Sequence, residues 1–293
     1  MQYQSFTRVL QHCGINTSNS APNALQLKKI ILAEFAFSQN DGLLLIDGFE
    51  YNKNDILKEL ENPNLQRNIT YHFTIWEQKG LLDFLEKDML DMEIANSEWK
   101  KLSWDNDFVL FVSPYFATSF NAVMSHVLKE PNFSSAMELN GLSGFINISD
   151  QETAYRSARI FLEDSAHMFR NLNEQTFSKE PKVVPWTKQQ FAPFLNSLPF
   201  SFSPLTNKLA VSLINFLVTI QHKNKKYCFL ISSDLIALEN IDPQYKSIID
   251  KNHQVFRSNH NKVYASPKSD FPIWRVIFWG LLILRIVFSL MNG

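Results

Sequence analysis

Residues 113–129 read SPYFATSFNAVMSHVLK, and this stretch decides the fold class. Its apolar side chains recur every three or four positions, which places them on one face of an α-helix. Ser113 and Pro114 suit the N-cap and the first residue of a helix, because proline lacks an N–H that would have no helical partner there. The stretch therefore predicts an amphipathic helix whose apolar face carries Phe116, Phe120, Val123, Met124, Val127 and Leu128.

The same periodicity recurs along the chain, at residues 24–39, 65–76, 154–172 and 205–220. Strand signals are fewer. LLLI (43–46) and FEY (49–51) flank Asp47-Gly48, a dipeptide that favours a type I′ hairpin turn. FVLFV (108–112) and YCFLIS (227–232) are predicted as buried strands. The predicted fold class is mostly α with a small β element (α+β).

Composition restricts the class of protein. Of the 293 residues, 45% are hydrophobic and 19% are charged, which is ample for a packed core. The formal net charge of -1 provides no field that would attract nucleic acid, so no nucleic-acid partner is expected. Only two cysteines are present and no secretory signal begins the sequence, which favours a reducing compartment.

Residues 271–293 read FPIWRVIFWGLLILRIVFSLMNG. A helix over Ile273–Met291 would span about 28 Å, close to the hydrocarbon thickness of a bilayer. Trp274 and Trp279 suit a membrane helix, and Arg275 can extend back to the head groups. Arg285 lies deeper, at a cost of up to about 3 kcal/mol that the apolar side chains outweigh. We expect a single C-terminal transmembrane helix. A helix lying in the interface and a buried core helix are the alternatives.

Flanking charge predicts the orientation. Lys251, Arg257, Lys262, Lys268 and Arg275 precede or begin the span, whereas Asn292 and Gly293 follow it. The positive-inside rule therefore places the N-terminal domain in the cytoplasm. The Asn-, Lys-, Ile- and Phe-rich composition, with this anchor, suggests a bacterial inner membrane.

Three parts of the chain are predicted. Residues 1–250 form a mostly helical cytoplasmic domain, 251–270 a polar tether and 271–293 the membrane anchor. A sub-boundary is expected near 174–204, where five prolines interrupt an aromatic-rich segment. That segment is interpreted as a long connection packed over the core; the alternative is a surface groove or a membrane-touching flap.

No catalytic, cofactor-binding or metal-binding residue is predicted, and no cofactor is expected. His72 lies on an apolar helical stripe, where a hydrogen-bonded core histidine is commoner than a functional one. Ser97 and Lys100 fit an SxxK pattern that four residues produce easily by chance. Tryptophans beside charged residues can anchor interfaces, and the candidate interface residues are Trp99, Trp104 and Trp186.

Three functions follow from these observations. The first is a membrane-tethered interaction, adaptor or regulatory protein whose partners are the lipid bilayer and another protein; it predicts an exposed apolar patch. The second is a membrane-associated enzyme with a site near the Pro/Phe segment; it predicts a concave pocket of converging ionisable groups. The third is a membrane-acting effector with a sensing domain. The oligomeric state stays open, and the absence of motifs favours a non-enzymatic role.

Overall fold

A computed structural model describes residues 2–15, 23–38, 42–99, 101–188 and 190–264. This part of the chain is mostly helical and contains one two-stranded sheet, which confirms the predicted mostly α class with a small β element. The strands are β1 (Leu43–Ile46) and β2 (Phe49–Asn52). The α-helices are α1 (Phe6–His12), α2 (Ala24–Phe37), α3 (Lys53–Leu60), α4 (Leu65–Glu77), α5 (Lys79–Lys87), α6 (Met92–Ile94), α7 (Asn106–Lys129), α8 (Phe133–Asn140), α9 (Gln151–Ala154), α10 (Arg156–Asn171), α11 (Val184–Lys188), α12 (Ala192–Ser197), α13 (Ser203–Ile220), α14 (Lys225–Ile236) and α15 (Pro243–Tyr264).

Shorter turns connect these helices. A π-helical turn follows α6, and the others are 3-10 turns. They span Ala95–Trp99, Leu102–Trp104, Ser143–Phe145, Ile148–Asp150, Phe177–Lys179, Pro181–Val183 and Phe200–Phe202.

The sheet is the predicted hairpin. β1 and β2 pair antiparallel, with Leu43 opposite Asn52 and Ile46 opposite Phe49. Asp47 and Gly48 both have positive φ, at 52° and 82°, as a type I′ turn requires. Leu44, Ile46 and Tyr51 face inward.

The apolar core consists of two clusters. The smaller one joins α1, α2, the hairpin, α3 and the first half of α4, through residues such as Phe6, Ile31 and Tyr51. The larger one holds the remaining helices, including Trp186, Phe191 and Phe194 of the Pro/Phe segment. The segment therefore packs over the core as a series of short helices. The change from one cluster to the other falls within α4, and the predicted sub-boundary at 174–204 does not coincide with it.

Helix α7 begins eight residues earlier than predicted. Asp105 caps it, because its carboxylate accepts hydrogen bonds from the backbone N–H groups of Asp107 and Phe108 at 3.0 and 3.1 Å. Pro114 lies inside the helix and not at its start. The predicted strand at 108–112 was therefore wrong: these residues belong to the first two turns of α7, with Val112 buried and Leu110 exposed. A short continuous apolar run does not separate a strand from a buried helix.

The strand predicted at 227–232 was wrong for the same reason. These residues lie within α14, and the buried Cys228, Ile231 and Leu235 follow helical spacing.

Residues 251–264 were assigned to a polar tether, yet they form the C-terminal part of α15. Ile249 and Phe256 are buried in the larger cluster, and His253 and His260 both stack on Phe229 of α14. Apolar residues are sparse here, so the polar composition concealed a helix that packs through few side chains. Residues 265–270 lie outside the described part of the chain.

Candidate functional site

A cleft of about 730 Å³ lies between the C-terminal end of α7, one face of α10 and residues 180–186. We call it the α10 cleft. The residues of α10 that line the cleft extend from Ser157 to Met168, a distance of about 16 Å along the helix axis. This volume falls within the range of small-molecule sites in proteins.

Apolar side chains form part of the lining of the cleft. Leu128 comes from α7, Phe161 and Met168 from α10, and Trp186 from α11. The rings of Phe161 and Trp186 are nearly parallel, with an interplanar angle of 4° and centroids 5.8 Å apart. Trp186 and Leu128 are buried, so the apolar side chains that remain accessible in the cleft are the half-buried Phe161 and Met168 and the exposed Ile160.

Polar groups also line the cleft. Ser125, Ser157 and Ser165 supply hydroxyls, and five ionisable side chains accompany them: Lys129, Asp164, His167, Glu180 and Lys182. Glu180 is already engaged, because its carboxylate accepts a hydrogen bond from the backbone N–H of Lys182 at 3.2 Å. Within the described ranges neither lysine side chain forms an ion pair or a hydrogen bond, and the same holds for Asp164.

The cleft lacks a paired nucleophile and base. The Nε2 atom of His167 lies 3.0 Å from the side-chain amide nitrogen of Asn171. Among the described residues no hydrogen bond joins His167 to a serine of the cleft. Nucleophilic catalysis requires such a contact. Nor does any group of three or more His, Cys, Asp or Glu side chains in the described ranges have the arrangement of a metal site.

The predicted interface tryptophans divide into two kinds. Trp99 is 0% exposed and packs against Phe84, and Trp186 is 2% exposed among Phe133, Phe161 and Phe191. Both are core residues, so the interpretation of these two as surface anchors was wrong. Glu98 is exposed beside Trp99, whereas the Trp99 indole is buried. Trp104, in contrast, is 72% exposed.

Trp104 is one of three exposed apolar side chains at the N-terminal half of α7. Leu110 is 57% exposed on α7 and Ile148 is 82% exposed on the turn Ile148–Asp150. We call these three residues the Trp104 surface. The turns that carry Trp104 and Ile148 both pack against α7. Asp105 and Asp107 are exposed beside it.

Side-chain hydrogen bonds attach the turn that carries Ile148 to α7. The hydroxyl of Ser113, one turn after Leu110, accepts from the backbone N–H of Asn147 at 2.7 Å and donates to the Asp150 carboxylate at 2.7 Å. Ile148 lies between these two residues, so it is held against α7. Ser103 also contacts Gly144, where a Cβ would lie 3.4 Å from that of Ser103. Tryptophan is enriched among the residues that contribute most to protein interfaces, which makes the exposed Trp104 the candidate interface residue.

A buried polar network joins the N-terminal elements to α5. Arg8 donates two hydrogen bonds to Glu86, at 2.8 and 2.7 Å, and one to the Tyr51 hydroxyl at 2.8 Å. Burial alone would lower the pKa of Arg8, but Glu86 and Tyr51 outweigh it and raise that pKa. Burial raises the pKa of Tyr51 to about 12, against the opposing effect of Arg8. These groups satisfy one another, and the network is structural.

His72 belongs to the same region. It is buried, and its Nδ1 atom lies 2.7 Å from the Tyr3 hydroxyl. Its Nε2 atom lies 3.7 Å from Glu59, too far for a hydrogen bond. Burial by itself raises the pKa of Glu59, but His72 and a hydrogen bond from Asn68 outweigh burial and lower it. The hydrogen-bonded core histidine favoured by the sequence is what the structure contains.

The predicted anchor residues Trp274, Arg275, Trp279 and Arg285 lie outside the described residues. Within the described ranges two helices are long and apolar enough to cross a membrane, Asn106–Lys129 and Phe200–Ile220. About half of each apolar window is buried inside the protein, at 50% and 56%. Core helices of soluble proteins have the same length and composition, so these two helices are weak support for a membrane protein.

No protein family, curated protein or solved structure matches this chain.

Proposed function

We propose that this chain is an interaction protein tethered to a membrane by residues 271–293, which binds another protein through the Trp104 surface. The tether is supported by the apolar composition of that segment. The interaction is supported by one structural observation: Trp104, Leu110 and Ile148 are each exposed, Leu110 on α7 and the other two on turns that pack against α7.

The chemistry of the surface suggests the partner. Tryptophan is enriched among the residues that contribute most to protein interfaces, which have an apolar centre and a polar rim. Asp105 and Asp107 provide acidic groups at this rim, and Arg67 neutralises Asp107 in part at 2.7 Å. A partner with an apolar pocket and basic residues at its edge fits best.

Site-specific photocrosslinking tests this proposal. Ile148 is replaced by p-benzoyl-phenylalanine in the full-length chain, which is then irradiated in membranes of the organism that makes it. We expect one discrete adduct, and we expect Trp104→Ala to reduce it at least fivefold. The control places the crosslinker at Leu230, which is 40% exposed on α14. An adduct of equal yield at Leu230, or one indifferent to Trp104→Ala, would contradict the proposal.

The alternative of a membrane-associated enzyme is favoured by the α10 cleft. Residues of the Pro/Phe segment form part of its lining, and several ionisable groups line it too. The hydrogen bond of His167 to Asn171 instead of a serine counts against nucleophilic catalysis. The measurement is turnover of a panel of small-molecule substrates by the full-length chain. Loss of that turnover in His167→Gln, but not in His126→Gln, would favour the enzyme. His126 is the matched control because it does not line the cleft.

A further inference from the structure

We infer that the protein lies with one basic end against the anionic lipid head groups of the membrane. Six cationic side chains from two parts of the sequence form this basic end. They are Lys223, Lys225 and Lys226, at the start of α14 and just before it, and Lys251, Arg257 and Lys262 on α15. The inference rests on the proposed tether, because that tether brings the basic end to a bilayer.

The packing of α14 against α15 brings the two groups of cations together. The ammonium of Lys246, near the start of α15, donates to two backbone carbonyls at the C-terminal end of α14 and just past it. The two helices are therefore antiparallel, and the ring of Phe229 stacks on that of His260 with centroids 4.6 Å apart. Lys225 precedes Phe229 by about one helical turn, and Lys262 follows His260 by about half a turn.

Carboxylates do not balance these cations. The two ranges that carry them, 221–233 and 251–264, contain no Asp or Glu, and neither does α13, which packs against both helices. Two acids border the basic end: Glu174 forms an ion pair with Lys223 at 3.4 Å, and Asp250 precedes the second range. Four positive charges remain in excess. This excess is local, since the whole chain has a formal net charge of -1.

The basic end is accessible to a partner. Lys226, Arg257 and Lys262 are exposed. Val255, which is 49% exposed, lies between Lys251 and Lys262 on the outer face of α15. A face that combines cations with an apolar side chain suits the head-group layer, where the cations meet lipid phosphates and the apolar group approaches the acyl chains.

The course of the chain selects a membrane as the partner. Helix α15 ends at Tyr264, two residues after Lys262. From Tyr264 to Phe271 the chain spans at most about 25 Å when fully extended, so a bilayer that holds residues 271–293 lies within that distance. Basic clusters next to a membrane segment bind anionic lipids, and each cation contributes about fivefold in affinity. A nucleic acid would also attract cations, but the chain has no connection that brings one to this end.

Quenching by a nitroxide-labelled lipid measures how close the basic end lies to the bilayer. The full-length chain carries a fluorophore at Ser258→Cys, on the outer face of α15, and Cys13→Ser removes the other accessible thiol. It is placed in nanodiscs of phosphatidylcholine, alone or with about one quarter phosphatidylserine. We expect phosphatidylserine to increase quenching about twofold, and about 0.5 M sodium chloride to abolish the increase.

Charge variants test which side chains are responsible. The test variant neutralises three exposed cations of the basic end: Lys226→Gln, Arg257→Gln and Lys262→Gln. We expect it to reduce quenching in the phosphatidylserine discs to the value in phosphatidylcholine alone. Exposed substitutions of this kind leave the fold intact, which circular dichroism checks. The matched control removes the same charge from exposed lysines elsewhere and should leave quenching unchanged: Lys53→Gln, Lys79→Gln and Lys101→Gln.

The outcomes separate this inference from the proposed tether. If the chain stays in phosphatidylcholine discs at high salt, but quenching is equal in both lipids or survives the three substitutions, the inference is overturned and the tether stands. Loss of the chain from phosphatidylcholine discs would contradict the tether, and the inference with it. If a short single-stranded RNA binds the chain tightly at physiological salt and the test variant loses that binding, the basic end recognises nucleic acid, which also overturns the inference.

Discussion

At the scale of single residues, the Arg8–Glu86 pair is the interaction with the largest expected consequence. The side chains of Arg8 and Glu86 are 8% and 1% exposed, and they join α1 to α5 across the boundary between the two core clusters. Burying two charges costs desolvation free energy, and their mutual attraction offsets that cost only while they remain paired. The loss of one partner leaves the other buried and uncompensated.

Glu86→Leu should therefore lower the free energy of unfolding by about 3 kcal/mol. The double variant Arg8→Met with Glu86→Leu should recover much of that loss, because no unpaired charge remains. Urea unfolding of the chain ending at Asp270 measures both. If the free energy of unfolding of Glu86→Leu were within about 0.5 kcal/mol of that of the wild type, water would have to reach the pair.

The sequence did not predict this pair because its members are 78 positions apart. The same limit applies to the tryptophans. Trp99, Trp104 and Trp186 all have charged or polar neighbours in the sequence, but only packing decides which rings are buried. Gly80 leaves room for the buried ring of Trp99, since a Cβ at position 80 would lie 2.9 Å from Ile94 and 3.5 Å from Trp99. Trp104 was the candidate interface residue that the structure places on the surface.

At the scale of elements, the Pro/Phe segment is held to α14 by Asp234. The carboxylate of Asp234 accepts a hydrogen bond from the backbone N–H of Phe191 at 2.6 Å, just before α12. Burial raises the pKa of Asp234, although backbone hydrogen bonds from Phe191 and Ala192 oppose this.

Asp234→Ala should lower the free energy of unfolding by about 1–2 kcal/mol, because the N–H of Phe191 loses its acceptor. It should also expose residues 174–204 to limited proteolysis. Ser233→Ala is the control, since that hydroxyl bonds only within its own helix. Resistance to protease equal to that of the wild type would show that packing alone holds the segment.

The pH dependence of Asp234 has a definite sign. An acid whose pKa is raised in the folded state binds its proton more tightly there, so its stabilising effect is lost as the pH rises. Above the ordinary pKa of 3.8, the wild type should therefore lose stability relative to Asp234→Asn. Urea unfolding of both proteins between pH 4 and 7 measures the difference, and a constant difference would contradict the expected pKa.

Secondary structure was predictable where periodicity was long and not where an apolar run was short. The hairpin and the apolar faces of α7, α10 and α13 followed directly from spacing and turn residues. FVLFV and YCFLIS were predicted as strands, yet both lie in helices, since five consecutive apolar residues fit either structure. The α10 cleft was unpredictable, because three separate segments form it.

At the scale of the whole molecule, the structure separates two surfaces of different chemistry. The Trp104 surface exposes apolar side chains that include a tryptophan, which suits another protein. The α10 cleft is concave and partly charged, which suits a small molecule. Exposed apolar side chains also lie on α2 and β1, including Phe37 and Leu45. Residues 16–22 and 39–41 adjoin those elements in the chain and lie outside the described residues.

The proposed tether at residues 271–293 would determine where both surfaces operate. If residues 271–293 span the membrane, the body stays within reach of the bilayer, and partner and ligand are encountered there. Arg275 and Arg285 are the costly residues of that segment, and its aliphatic and aromatic side chains must outweigh them.

The most direct test of this account is alkaline carbonate extraction of membranes that contain the full-length chain or a version ending at Asp270. We predict that the full-length chain remains in the membrane pellet and that the shortened version is soluble. Release of the full-length chain by carbonate would contradict the tether, and residues 273–291 would then be a peripheral or core segment of a soluble protein.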